Sequence, residues 1–246
     1  MIVKQIGIYF LLILCLWGSG RGLFAQTQDS YEYNSEFTWG INKNSYGGLI
    51  GGFVFKKARR IQPKMFETFG LEVMNVKNPH EVRTQAPSSG NYFIYGKSNY
   101  LYALRLQYGR DIILFTKGPQ QGVEVKAVFA VGPSIGVITP YYVQVDPTGG
   151  QGFYTYNAPY TPDISYGEIQ GTGTLFEGLG QSTIRMGGNL KAALNFELGT
   201  AKNQVTGFEA GLLLDAYTST VVLMPSAENY AVYPTVFLTL FYGSRK

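Results

Sequence analysis

Nine charged side chains sit at alternate positions of otherwise apolar segments, and they define the chemistry open to this chain. They are Glu36, Glu72, Arg105, Glu124, Lys126, Lys191, Glu197, Glu209 and Asp215. Carboxylates and cations enclosed together can do one of two things. They can neutralise each other as a packed polar filling, or they can pass ions or protons along a narrow path. Six acids against three bases leave an excess of carboxylate. Because unpaired buried charge is expensive, the excess must take up protons, bind water or meet further Lys or Arg.

Nucleophilic and metal chemistry have little to work with. The single histidine, His80 in Pro79-His80-Glu81, could act as a base for Ser88, Ser89 or Ser98 of the same segment. That arrangement would make a lipid-modifying barrel enzyme, but the plainer expectation is an exposed loop histidine and no catalysis. Loop carboxylates Asp146 and Asp163 could meet calcium only in a carboxylate-poor way, so no metal is expected. No glycine loop followed by Lys-Ser or Lys-Thr is present to cradle a phosphate, and no cofactor is expected. Binding chemistry is better supplied. Tyr141, Tyr142, Tyr154, Tyr156, Tyr160 and Tyr166 punctuate a Gly- and Pro-rich stretch, and tyrosine offers contact area at low ordering cost.

These residues need elements to hold them, and the elements read as strands. The chain has 246 residues with 31 Gly, 19 Tyr and 16 Phe, and only 15% are charged, a composition of turns and strands. The hairpin Asn189 to Leu198 and Thr206 to Tyr217 is the clearest case. Leu190, Ala192, Leu194, Phe196 and Leu198 share one face, while Asn189, Lys191, Asn195 and Glu197 lie on the other. Its partner sets Phe208, Ala210, Leu212, Leu214 and Ala216 against Glu209 and Asp215. About ten residues with an unbroken apolar face and a polar reverse suit a strand that crosses a membrane.

Six further segments carry the same alternation. They are Glu36 to Asn42, Tyr46 to Lys56, Thr68 to Met74, Tyr100 to Gly109, Val123 to Gly132, and Thr235 to Tyr242. The basic run Lys56-Lys-Ala-Arg-Arg60 reads as a solvated turn, and Arg110 to Gly122 as a link. With the N-terminus on the inner side, the odd-numbered connections (42–45, 75–98, about 139–186 and 218–230) include three long ones, and the even-numbered ones are shorter. Outer-membrane barrels have this asymmetry. The expected fold is therefore all-β: a transmembrane antiparallel up-and-down β-barrel of eight strands with long external loops. Ten strands result if Ile135–Val145 and Phe153–Asn157 form an added hairpin. An eight-stranded interior is just wide enough to be filled by side chains.

Residues 1–25 read as a signal peptide, leaving 26–246 as the barrel domain. Lys4 gives the positive start, Ile6 to Trp17 the apolar run, and Leu23-Phe24-Ala25 the cleavage site before Gln26. Cys15, the only cysteine, falls in that run, so the mature chain has no thiol chemistry. Losing Lys4 and Arg21 leaves 18 basic and 16 acidic residues, too balanced for nucleic acid. Lipid of the outer membrane, reached by the general secretory route, is the expected partner.

The ending Phe24-Ala25-Gln26 resembles export signals of Bacteroidetes. Leu104-Arg-Leu-Gln-Tyr-Gly-Arg110, Gly132-Pro-Ser-Ile-Gly136, Leu214-Asp-Ala-Tyr217 and Phe237-Leu-Thr-Leu-Phe-Tyr-Gly243 are similar to small outer-membrane barrels of that phylum. One departure is the tail Gly243-Ser-Arg-Lys246 after Tyr242, where such strands commonly end on an aromatic residue. The group includes uncharacterised barrels and small barrel subunits of the type IX secretion machinery. The resemblance implies a cell-envelope protein with a structural or accessory role in an export or assembly complex, alongside other envelope proteins. The alternatives are a lipid-modifying barrel enzyme or a small pore.

Overall fold

A computed structural model describes residues 33–48, 50–117, 122–149, 154–174, 177–198 and 203–246. The segment read as a signal peptide, Cys15 included, lies outside the described residues. Eight long strands form the ring: β1 (Ser35–Asn44), β2 (Gly52–Gln62), β3 (Met65–Val76), β6 (Asn99–Phe115), β7 (Glu124–Pro140), β11 (Thr183–Glu197), β12 (Gln204–Val221) and β13 (Tyr230–Arg245). Each pairs antiparallel with its neighbour in sequence, and β1 closes on β13. Short strands lie in the connections: β4 (Arg83–Gln85) and β5 (Tyr92–Ile94) in one, β8 (Tyr142–Val145), β9 (Tyr156–Pro159) and β10 (Ile169–Thr172) in another.

Register fixes the tilt. Glu36 faces Ala58, then Thr68, Gly109, Ala130, Lys191, Leu213 and Thr235 around the ring. Asn44 faces Phe237, so Thr235 falls level with residue 46. Going once round thus advances β1 by ten residues, from 36 to 46, which tilts eight strands by about 40°. The pleat then sorts the side chains. On β13 Val236, Leu238, Leu240 and Tyr242 are exposed, while Phe237, Thr239, Phe241 and Arg245 are buried. The outer wall is apolar and the interior polar, the inverse of a water-soluble barrel and the architecture of a transmembrane one.

The start of β1 and the finish of β13 share one end of the barrel, where Glu36 pairs with Arg245. The connections at that end are short (63–64, 116–123 and 198–203), and those at the other are 45–51, 77–98, 141–182 and 222–229. Several boundaries differ from the sequence reading. The run Lys56 to Arg60 is not a turn but the middle of β2, because it alternates as a strand must: Lys57 and Arg59 point out, Lys56 and Ala58 in. The turn is only Pro63-Lys64. Likewise β6 continues to Phe115 through the expected link, β11 begins six residues earlier than Asn189, and β12 runs on to Val221. Of the hairpin that would have made ten strands, only Tyr142–Val145 (β8) pairs with Tyr156–Pro159 (β9), Val145 facing Tyr156, while Ile135 to Pro140 belongs to β7 and Phe153 lies outside the described residues. The β8–β9 pair joins β10 in a separate three-stranded sheet outside the ring, and the barrel keeps eight strands.

Candidate functional site

Inside the ring, all nine alternating charges are enclosed, none more than 7% exposed. They form two groups. The upper is a chain of alternating sign. Asp215 accepts from Arg105 Nε (3.0 Å) and Nη2 (2.5 Å) and from Ser134 Oγ (2.9 Å). Arg105 Nη1 reaches Glu72 at 3.2 Å, directly across the β3–β6 pair. Lys191 bridges Glu72 (2.8 Å) and Glu209 (2.7 Å), and Lys56 bridges Glu209 (3.1 Å) and Asp111 (2.9 Å). The lower group answers a like-charge problem, since Glu124 and Glu197 face each other on β7 and β11. Lys126 lies 3.2 Å from Glu124, 3.3 Å from Glu36 and 3.6 Å from Glu197. Arg245 and Lys117 also contact Glu197.

Four of these groups escaped the sequence reading: Lys56, Asp111, Lys117 and Arg245. With Lys56, Lys117 and Arg245 added to three bases and Asp111 to six acids, these two groups hold seven carboxylates and six bases among the described residues. The large carboxylate excess therefore disappears. Parity held the missing signal. Counting in twos from Arg105 through Gln107 and Gly109 reaches Asp111, and counting from Phe241 reaches Arg245. The tail after Tyr242 thus has a use: it carries the arginine that closes the lower group.

Apolar side chains close both ends. Near the external loops Val54, Met74, Val76, Leu101, Ile138, Tyr217, Val221, Leu223 and Tyr233 pack together inside the barrel, with Tyr217 and Tyr233 edge to face at 6.0 Å. Glycine makes room here: a Cβ at Gly136 would stand 2.8 Å from the Tyr217 ring. At the other end Tyr33 stacks on Phe66 at 4.8 Å beside Ala58 and Ile113, and the Arg245 guanidinium lies 4.2 Å over the Tyr33 ring. Between the two, a cavity of about 20 Å³ bordered by Thr38, Lys56, Gln107, Lys191 and Glu209 has room for a water. Among the described residues this interior is packed with buried side chains.

Above the barrel the two longest connections fold against each other. Ser88 donates to Gln170 Oε1 at 2.8 Å, and Ser89 and Asn91 donate to its carbonyl. Thr172 Oγ1 donates to the Tyr92 carbonyl (3.0 Å), Tyr166 to that of Gln85 (2.7 Å), and Tyr141 Oη accepts the Ile94 N–H (3.0 Å). The six tyrosines do not form one surface. Tyr141 and Tyr160 are core, packed with Phe93, Val143, Val145 and Ile169, and burial raises both phenols above their ordinary range. Tyr142 is half-buried beside Tyr100 and Tyr102. Tyr154 and Tyr156 stack on each other in the open, 6.1 Å apart. Tyr166 is exposed and sits edge to face with Tyr95 at 5.5 Å. Tyr92 and Tyr95, both exposed, add to this surface from a segment whose polar texture gave them no prominence. Below it Lys97 is fully buried against Glu81 at 2.7 Å. Burial lowers its ammonium pKa, and Glu81 opposes that shift.

His80, Ser88 and Ser89 are occupied otherwise, whereas Ser98 Oγ is buried with no hydrogen-bond partner among the described residues. His80 is exposed, with its N–H and Nδ1 both on Asn78 Oδ1 (3.0 and 3.1 Å), while Ser88 and Ser89 are bonded to Gln170. Among the described residues no group of three His, Cys, Asp or Glu gathers as a metal site. Asp146 Oδ1 accepts from Thr148, and Asp163 is exposed.

No family model and no curated protein matches the chain. Among solved structures it is similar to Ail, the attachment invasion locus protein of Yersinia pestis, at 10% identity and a TM-score of 0.40, covering 87% of this chain and 99% of that one. It is also similar to Neisserial surface protein A at 13% identity and a TM-score of 0.38, covering 87% and 97%. The barrel assignment rests on the closed ring of eight paired strands, not on these likenesses.

Proposed function

We propose that this protein is an outer-membrane barrel that conducts nothing and works through contacts, as a structural or accessory subunit of an export or assembly complex. One observation carries the reading: the interior is sealed by apolar clusters at both ends and neutralised between them, while the outer wall is apolar. Strands in lipid need every backbone group satisfied, which a closed ring achieves. A filled lumen leaves the wall and the loops as the surfaces able to act. The loops are pre-ordered by cross-loop hydrogen bonds, so a partner meeting Tyr92, Tyr95, Tyr154, Tyr156 and Tyr166 pays little for ordering them. The strand texture that resembles small Bacteroidetes barrels supports an envelope assembly of that kind.

The test is purification of the tagged protein from native membranes followed by mass spectrometry. Recovery with a stoichiometric envelope partner supports the subunit reading, and recovery alone removes it. A variant in which Tyr92, Tyr154 and Tyr156 are changed to Ser should lose that partner while keeping the barrel.

A further inference from the structure

The lower outer wall is not uniform. On β2, β3 and β6 the last outward aromatic is followed, one pleat nearer the short-turn end, by a charge: Phe55 by Lys57 and then Arg59, Phe69 by Glu67, Tyr108 by Arg110. Register puts the charges side by side. Arg59 faces Glu67, and Glu67 faces Arg110. At a strand spacing of about 4.8 Å the two guanidinium-bearing positions flank Glu67 roughly 10 Å apart. The remaining strands carry Phe37, Val125, Phe196, Phe208 and Tyr242 on this part of the outer wall. Among the described residues of the ring strands, three cations and one acid therefore stand together on one sector of the lower wall.

The acid serves one of the cations. Glu67 accepts from Arg110 Nη1 at 3.1 Å and from Tyr108 Oη at 2.7 Å, and Arg110 lies 5.1 Å over the Tyr108 ring. Arg110 is thereby held against the wall. Lys57 and Arg59 are exposed and form no ion pair among the described residues. Two cations outside any ion pair and one held cation, next to aromatic side chains, suit the level where lipid headgroups meet the acyl region. We infer that this sector binds the phosphate headgroup of an anionic phospholipid in the leaflet at the short-turn end, an inference that rests on the membrane-spanning reading. Arg110 fixes the position, and Lys57 and Arg59 supply the charge that distinguishes an anionic headgroup from a zwitterionic one.

The experiment has two readouts on the full-length protein. Folding into vesicles of phosphatidylethanolamine and phosphatidylglycerol is followed by heat-modifiable migration and protection from protease. Lipid retention is counted by native mass spectrometry after exposure to equal amounts of the two lipids. The inserted protein should retain phosphatidylglycerol preferentially. Lys57→Gln with Arg59→Gln should insert normally but lose that preference by about tenfold or more, whereas Lys43→Gln, an outward lysine at the other end of β1, should leave it unchanged. Free inorganic phosphate at millimolar concentration should not displace the lipid; displacement would mark a simple phosphate site and overturn the lipid assignment. Equal retention of both lipids by the inserted protein, or an unchanged preference in the double variant, overturns the inference alone. Failure to insert at all overturns the membrane reading beneath it.

Discussion

Arg105 is the most informative residue to remove, because the upper charge chain depends on it at two points. Its guanidinium binds Asp215 through Nε and Nη2 and Glu72 through Nη1. Arg105→Met would leave Asp215, fully buried, with Ser134 as its remaining donor, whereas Glu72 would still have Lys191 at 2.8 Å. The loss therefore falls on one uncompensated carboxylate, and removing one partner of a buried pair costs about 3–5 kcal/mol. Adding Asp215→Leu should recover much of it, since apolar replacement of both members of a buried pair is often close to neutral. A coupling of at least about 2 kcal/mol between the two substitutions is expected. Equilibrium urea unfolding in lipid vesicles, with tryptophan fluorescence as the signal, measures all three variants. A single variant as stable as the parent, or a double variant that loses the sum of the two singles, would refute the claim that the lumen charges form an interdependent filling.

Three further outcomes follow from the same structure. Leu212→Arg, at an outward position on β12 that is 63% exposed, should cost about 2–4 kcal/mol in vesicles if it sits near the membrane midplane; no loss would mean that this wall faces water. Gly136→Val should displace the Tyr217 ring, 2.8 Å from its Cβ, and lower stability by about 1–3 kcal/mol in the same unfolding assay. The loop sheet should open at alkaline pH: Tyr141 and Tyr160 have folded pKa values raised above the ordinary 10.0, so their contribution is whole below pH 10 and is lost as pH rises through the folded values. Lys97 has the opposite sign, its contribution growing as pH rises toward the ordinary 10.5. Absorbance of phenolate and protease cleavage of the loops should therefore rise together above pH 10, and cleavage that begins well below pH 10 would contradict this.

Alternation made most of the barrel legible from sequence, because a membrane strand must show lipid one face and the lumen the other. That is why the alternation alone places Lys191, Glu197, Glu209 and Asp215 inside. Composition masks the same rule in one place. Lys56 to Arg60 has the texture of a solvated turn, yet period two puts Lys56 inside and Lys57 outside, and the barrel obeys the period. Strand ends were hidden for a different reason: β6, β7, β11 and β12 continue beyond the apolar belt, where lipid no longer imposes a pattern. The loop tyrosines show the opposite limit. Their number signalled ordered packing, but which of them would be core (Tyr141, Tyr160) and which exposed (Tyr154, Tyr156, Tyr166) depends on the contact between two segments far apart in the chain. The Gln170 bonds that join them carry no local signature.

The most direct test of the central claim is single-channel recording from the pure, refolded protein in planar bilayers. A lumen sealed by the Tyr217–Tyr233 cluster above and the Tyr33–Phe66 stack below, with paired charges between, predicts no steady current at any holding potential the bilayer survives. Reproducible open currents from protein shown to be inserted would contradict it.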